Sequence, residues 1–219
     1  MDLLRFLPTL LSGAWITAQI TAIAILVALL MGFCMGLMRI SKIIPVRWFA
    51  AVYVEVFRGT SALVQLFWMF FVLPYFGVNL NPFTVGWLAL GLNLGAYGAE
   101  VVRGAVLAVP RGQYDAIISL NMSRWLALRR VIVPQAIPNM IPPWGNLFIE
   151  LLKATALVSL ITIPDLTFRA QQLNDQTFET AGIFSLVLLL YLLMALVITG
   201  VMRALEHYTG RGLARGGIR

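Results

Sequence analysis

Charged residues that stand inside otherwise apolar stretches of this sequence form acid–base pairs at one recurring spacing: Glu55 with Arg58, Glu100 with Arg103 and Glu150 with Lys153. A separation of three residues puts both groups on one helix face, where they can neutralise each other. Ionisable groups in a low-dielectric stretch are costly and face either a bundle interior or a water-filled cavity. Glu150 and Lys153 lie deepest in their stretch. Arg103 is near the end of its own and reaches water by snorkelling. Gln65, Asn93 and Asn146 add uncharged polar groups to the same apolar stretches. Together these residues fit a path for a polar solute; gluing of neighbouring helices is the alternative reading of the same pattern. Reactive chemistry is poorly supplied. There is no G-x-x-x-x-G-K-[ST] loop for nucleotide phosphates and no H-E-x-x-H. The only histidine is His207 and the only cysteine is Cys34, which is read as a buried small hydrophobe. None of Asp2, Asp115, Asp165 and Asp175 falls inside an apolar stretch, so an intramembrane aspartyl site is not available. No catalytic residue, metal ligand or cofactor site is expected.

The elements that must position these groups are membrane helices. The chain has 219 residues, 60% hydrophobic and 11% charged, whereas a soluble domain carries about 25% charged residues. The simplest solvent for the excess apolar surface is lipid. About five stretches reach the ~20 apolar residues a membrane helix needs. They run from about Leu11 to Met38, Trp48 to Leu73, Pro82 to Val102, Ala136 to Ile163 (broken by Pro138, Pro142 and Pro143) and Gly182 to Met202. They are too long for barrel strands. The first stretch is too long for a cleavable leader, and apart from Arg5 its bases follow it. Gly91, Gly95 and Gly98 in the third let helix backbones approach closely. Phe67, Trp68, Phe70, Phe71, Tyr75 and Trp87 read as an aromatic belt at the outer interface.

Basic and non-basic loops alternate. Arg39, Lys42 and Arg47 follow the first stretch, and an uncharged segment, 74–81, follows the second. Arg103, Arg111, Arg124, Arg129 and Arg130 follow the third. Asp165, Asp175 and Glu179 outweigh Arg169 after the fourth, and a basic tail, 209–219, ends the sequence. The positive-inside rule places the N-terminus outside and the C-terminus in the cytoplasm. The expected fold is therefore all-α and polytopic, with one membrane domain over 11–208. The net charge of +7 serves orientation, so no nucleic-acid partner is expected. The longest cytoplasmic loop, from about Arg103 to Val133, has Pro110 at a helix start and apolar positions at helical spacing. That pattern suits an amphipathic segment on lipid headgroups and a docking element for a soluble partner equally well.

Gly112-Gln113-Tyr114-Asp115-Ala116-Ile117-Ile118-Ser119-Leu120-Asn121, followed by Arg129-Arg130-Val131-Ile132-Val133-Pro134-Gln135-Ala136, resembles the signature loop of binding-protein-dependent ABC importer permeases. That loop reads E-A-A, three residues, G, and later I-x-L-P. Glu55 through Gln65, Ala96 through Gly104 and Leu152 through Leu166 extend the resemblance to the polar amino acid branch, the histidine, glutamine and arginine type. Asp115 replaces the family's Glu and keeps its charge; Ile117 replaces the second Ala. Asn121 replaces Gly and is expected to keep the left-handed turn. Lys153-Ala154-Thr155-Ala156-Leu157 stands where relatives read K-[DN]-T-S-L, and this variant looks like ectoine/hydroxyectoine permease subunits. The resemblance implies a permease in the bacterial inner membrane that translocates ectoine or a similar zwitterion, with an ordinary polar amino acid as the alternative. A channel or scaffold subunit without ATPase coupling is the reading from another class. The implied partners are a second permease, two cytoplasmic ATPase subunits holding ATP and Mg, and a periplasmic or lipid-anchored solute-binding protein. Gly112, Gln113, Tyr114, Asp115, Ala116, Leu120 and Asn121 would form the ATPase-coupling loop. Glu55, Arg58, Gln65, Asn93, Asn146, Glu150, Lys153 and Thr155 are the candidate path residues.

Overall fold

The computed structural model describes residues 3–210, with the side chain of Arg124 left aside. Asp2 and the tail arginines Arg211, Arg215 and Arg219 lie outside the described residues. No strand occurs among the described residues.

The bundle is organised on two parallel helices, α1 (Leu7–Arg39) and α4 (Pro82–Leu107). Small residues at four-residue steps on α1, Ala24, Ala28, Gly32 and Gly36, meet Gly91, Gly95, Gly98 and Ala99 on α4 in the same order. A Cβ on Gly91 would lie 2.8 Å from Val27 Cβ, and one on Gly36 would lie 2.7 Å from the Ala99 carbonyl oxygen. In lipid, where apolar contact alone gives no drive to associate, such close packing is what holds helices together.

Two parallel helices need a crossing between them, and the chain makes it in two pieces. Helix α2 (Ile44–Gly59) is followed by α3 (Ala62–Phe67), which continues through one π and one 3-10 turn to Phe76. The two pieces meet at 103°. The expected second span is thus broken at Gly59-Thr60-Ser61, where Thr60 and Ser61 are extended. With the bent pair taken as one span, the chain has five candidate crossings.

Beyond α4, the short helix α5 (Arg111–Ser119) precedes a long helical segment. That segment is α6 (Arg124–Ala127), a π-turn over Leu128–Ile132, α7 (Val133–Ala154) and a 3-10 stretch, Thr155–Ile161. The prolines do not break it, contrary to the sequence expectation. A proline removes one N–H and crowds the carbonyl four residues earlier. Pro134, Pro138 and Pro142 are four apart, so their losses fall along one helix face; Pro143, next to Pro142, adds one more about a third of a turn round, and the helix continues past it. The wider π-turn just before Pro134 relieves the first of these contacts.

At the opposite end lies an element read from sequence only as a loop, α8 (Leu166–Thr177). Asp165 caps it, its Oδ1 accepting from Phe168 N–H at 2.9 Å, and Thr17 Oγ1 accepts from Leu166 N–H at 3.1 Å. Leu166 and Ala170 pack with Leu10 of α1 and Ile183 of α9 (Thr180–Gly210). Met202 of α9 lies against Gly145 of α7, while Leu188, Leu192 and Leu196 are exposed and suit lipid. Cys34 is exposed on α1, not buried as expected.

Two predictions follow from this packing. A Cβ on Gly98 would sit 2.1 Å from Trp144 Cη2, whereas one on Gly104 meets nothing within 4 Å. Gly98→Ala should therefore cost about 1–3 kcal/mol by overpacking and lower the melting temperature in detergent, while Gly104→Ala leaves it unchanged or raises it. Asp165 is fully buried, its Oδ2 finds no partner among the described residues, and burial pushes its carboxyl up from 3.8 to about 6. A carboxyl held higher in the folded state than in the unfolded one binds its proton more tightly when folded. Its contribution is fully present below about pH 4 and is lost as pH rises to about 6. Asp165→Asn, which keeps the cap acceptor, should remove that pH dependence. The melting temperature of the wild type relative to this variant should fall between pH 4 and 6 and level off above.

Candidate functional site

The face of α7 that carries Pro138 and Pro142 continues through Asn146 to Glu150, again at four-residue steps, and Lys153 stands one turn further. Asn146, Glu150 and Lys153 are all exposed. Pro138 and Pro142 leave the carbonyls of Pro134 and Pro138 without helical donors. Unpaired carbonyls and two ionisable side chains cannot face hydrocarbon. This face therefore needs water or a second protein against it. Glu150 and Lys153 form no ion pair with each other among the described residues, despite their spacing.

Glu150 opens onto a cleft of about 160 Å³ between α7 and α4, lined also by Asn93 and Tyr97. The Arg58 guanidinium, from the end of α2, lies 5.2 Å from the centre of the Tyr97 ring. A cation at that distance is attracted to the ring face. Three elements thus bring a carboxylate, an amide, a phenol and a guanidinium to one region. Glu55 is exposed and makes no ion pair with Arg58 among the described residues, so that expected pair is not formed.

Gln65 and Asn93 have work at the helix break. The Phe57 carbonyl accepts from Gln65 Nε2 at 2.9 Å and from Asn93 Nδ2 at 2.8 Å. Gln65 Nε2 also donates to Thr60 Oγ1 at 2.7 Å, and Asn93 Nδ2 donates to Gln65 Oε1 at 3.2 Å. The carbonyls freed at the end of α2 thereby find side-chain donors. Gln65 serves the bend and does not line the cleft. Asn93 does both. Thr155 is buried, donates to the Leu152 carbonyl at 2.6 Å and lies off the exposed face of α7.

Glu100 belongs to a separate cluster. It bonds Arg103 Nε at 2.8 Å, as its spacing predicts, and also pairs with Arg39 at 3.1 Å. The second partner comes from the end of α1 and locks the α1 and α4 ends together. Arg39 carried no sequence signal for this role, because the contact spans 61 residues (100 − 39).

Helix α5 lies across the basic end of the bundle. Tyr114 Oη donates to the Val106 carbonyl at 3.1 Å, and Gln135 Nε2 donates to Gln113 Oε1 at 3.1 Å. Tyr114 and Ile117 pack on the core. Gly112, Asp115, Ala116, Ile118 and Leu120 remain exposed. The helix ends on Asn121 at φ 50, with Met122 N–H bonding the Ile117 carbonyl and Asn121 N–H bonding that of Ile118. This six-to-one and five-to-two pair is a Schellman motif, and Asn121 supplies the left-handed residue that the family's glycine would. One face of α5 is anchored to α4 and α7; the other is free.

Tyr97, which the path residues gather around, was not among those singled out from sequence; an aromatic side chain in a helix this apolar gives no signal of its own. Comparison with known proteins agrees with the geometry. Residues 24–210 match the family described as binding-protein-dependent transport system inner membrane component. The chain is 48% identical to the probable amino-acid ABC transporter permease protein y4tF of Sinorhizobium fredii, covering 96% of this chain and 91% of that protein. It is 35% identical to the glutamine transport system permease protein GlnP of Escherichia coli, covering 92% and 93%. Among solved structures it resembles an amino acid ABC transporter with histidines, with a TM-score of 0.87 and 37% identity over 95% of this chain and 99% of that one. The chain belongs to the binding-protein-dependent inner membrane components and is a multi-pass bacterial inner-membrane permease of the amino acid ABC importer type.

Proposed function

We propose that this permease moves a polar amino acid of the histidine, glutamine or arginine kind along the polar face of α7, and that ectoine is not its main solute. The observation that carries the reading is the exposed Asn146–Glu150–Lys153 face beside the Asn93–Tyr97 cleft. Glu150 accepts the α-ammonium, Arg58 takes the α-carboxylate over Tyr97, and the Asn93 carbonyl adds one acceptor. The cleft of about 160 Å³ is below the ~300–1,000 Å³ of ligand pockets, so a second permease completes it. The names of the relatives favour amino acids. Ala154 lines the cleft, but losing a polar side chain there removes one contact and leaves the charged ones.

In this reading the N-terminus lies outside, and the free face of α5, centred on Asp115 and Ala116, seats in a groove of a cytoplasmic ATPase. Two such ATPases bind ATP and Mg, and their closure moves α5 and, through Tyr114 and Gln113, the ends of α4 and α7. Rigid-body motion of this kind alternates access to the path. A solute-binding protein outside delivers the solute. A subunit without ATPase coupling would leave the exposed face of α5 without a purpose.

The direct test is solute-stimulated ATPase activity of the reconstituted complex, with its binding protein loaded from a panel of histidine, glutamine, arginine and ectoine. Amino acids should stimulate and ectoine should not; stimulation by ectoine alone would restore the compatible-solute reading. Glu150→Gln and Lys153→Ala should each lower uptake by about 10-fold or more, the cost of one charge-assisted hydrogen bond, with assembly unchanged. Normal uptake in both would remove this face from the path. Asp115→Lys should insert and fold normally yet abolish ATP-driven uptake, because its side chain contributes nothing to the anchored face of α5.

A further inference from the structure

A second cleft, of about 360 Å³, opens where α1, α2 and α4 meet at the basic end, and three arginines line it. Arg39, Arg47 and Arg103 line it together with Ile44 and Trp48. Glu100 is the carboxylate paired to two of these arginines. Arg47 makes no ion pair among the described residues. Three cations against one carboxylate leave about two uncompensated positive charges around a small concave site. The first turn of α2 adds to them: its N-cap residue Ile43 offers no side-chain cap, so the amides of Ile44 and Val46 (Pro45 between them has none) and the positive end of a 16-residue helix border the cleft.

The site continues into an apolar track. Ile44, Trp48, Val52 and Val56 follow one another at four-residue steps along α2, and all are exposed. The first two line the basic cleft. Tryptophan favours the headgroup level of a membrane. A basic cleft at that level, with an apolar stripe running from it toward the middle of the membrane, matches a molecule with an anionic head and an acyl tail.

We propose that this cleft binds an anionic phospholipid, its phosphodiester on Arg39, Arg47 and Arg103 and an acyl chain along Ile44, Trp48, Val52 and Val56. A headgroup with no ammonium, such as phosphatidylglycerol, fits best. The ammonium of a phosphatidylethanolamine would need a free carboxylate, and Glu100 is already engaged by two arginines. A bound lipid would hold the α1–α2 turn against the end of α4, next to the ion cluster that joins α1 and α4. A soluble phosphate shares the head chemistry but leaves the apolar track unused.

The test is native mass spectrometry of the intact transporter complex, released from detergent, with added phosphatidylglycerol, phosphatidylethanolamine or inorganic phosphate. Phosphatidylglycerol adducts should survive collision energies that strip phosphatidylethanolamine. Arg47→Gln should reduce their retention about five-fold, the share of one arginine near a membrane surface, and Arg47→Lys should restore most of it. Val52→Gln should weaken retention of the lipid without touching the basic head site. Equal retention of both lipids, or retention indifferent to Arg47→Gln, would overturn the proposal. Displacement of the lipid by millimolar inorganic phosphate would assign the site to a soluble anion instead. Loss of ATPase subunits from Arg47→Gln with lipid retention unchanged would assign it to a protein contact.

Discussion

Backbone approach between α1 and α4 sets the geometry of everything else. Where Gly36 faces the Ala99 carbonyl and Gly91 faces Val27, any side chain would push the helices apart. Because these two helices run parallel, the 42 residues between them (40 to 81) must carry the chain back across the bilayer. The return is made by α2 and α3, and its bend frees backbone carbonyls that need donors. Gln65 and Asn93 exist in this fold to bond them. Asn93 is held on α4 by that task, and its position on α4 puts it in the cleft beside Tyr97 and Glu150.

The long helix through α7 follows a related logic. Prolines four residues apart, 134, 138 and 142, put most of the missing hydrogen bonds on one side, with Pro143 beside them, and the same side carries Asn146 and Glu150. The opposite side of α7 is apolar and packs Met140, Trp144 and Phe148 into the core. A helix built this way is stable only with water or protein on its polar face, which agrees with a permease that pairs around a shared path. Helix α9 shows the contrast: its outer leucines, Leu188, Leu192 and Leu196, are exposed and suit direct contact with lipid.

Much of this was legible in the sequence. Long apolar stretches announce the crossings, and Pro110 with the spacing of Ala116, Ile117 and Leu120 announces α5. Asn121 announced its own left-handed turn, because few other side chains tolerate that backbone conformation. What escaped was non-local or masked by composition. The break at Gly59–Ser61 sits inside a stretch whose hydropathy is high on both sides, so only three residues hint at it. Arg39 meets Glu100 only after α1 and α4 have packed. Helix α8 carries a clear cap at Asp165 and apolar residues at Leu166, Ala170 and Leu173, but its polar remainder read as a loop. The prolines of α7 were counted as breaks when their shared face makes them a feature of one continuous helix. Gln65 and Thr155 are polar residues in spans, and sequence alone does not separate those that bond backbone from those that meet a solute.

The central claim is that the Asn146–Glu150–Lys153 face of α7 lines a water-filled, solute-occupied path. Site-directed thiol labelling in the assembled transporter tests it most directly. Asn146→Cys, Glu150→Cys and Lys153→Cys would be introduced singly with Cys34 replaced by serine, and Leu188→Cys and Leu192→Cys on α9 would serve as lipid-facing controls. The account predicts that a membrane-impermeant thiol reagent labels the three α7 positions, that ATP changes their rates, and that the transported amino acid protects Glu150→Cys, while the α9 positions stay unlabelled. Labelling of the α7 positions no faster than the α9 controls, with no change on adding solute or ATP, would contradict it.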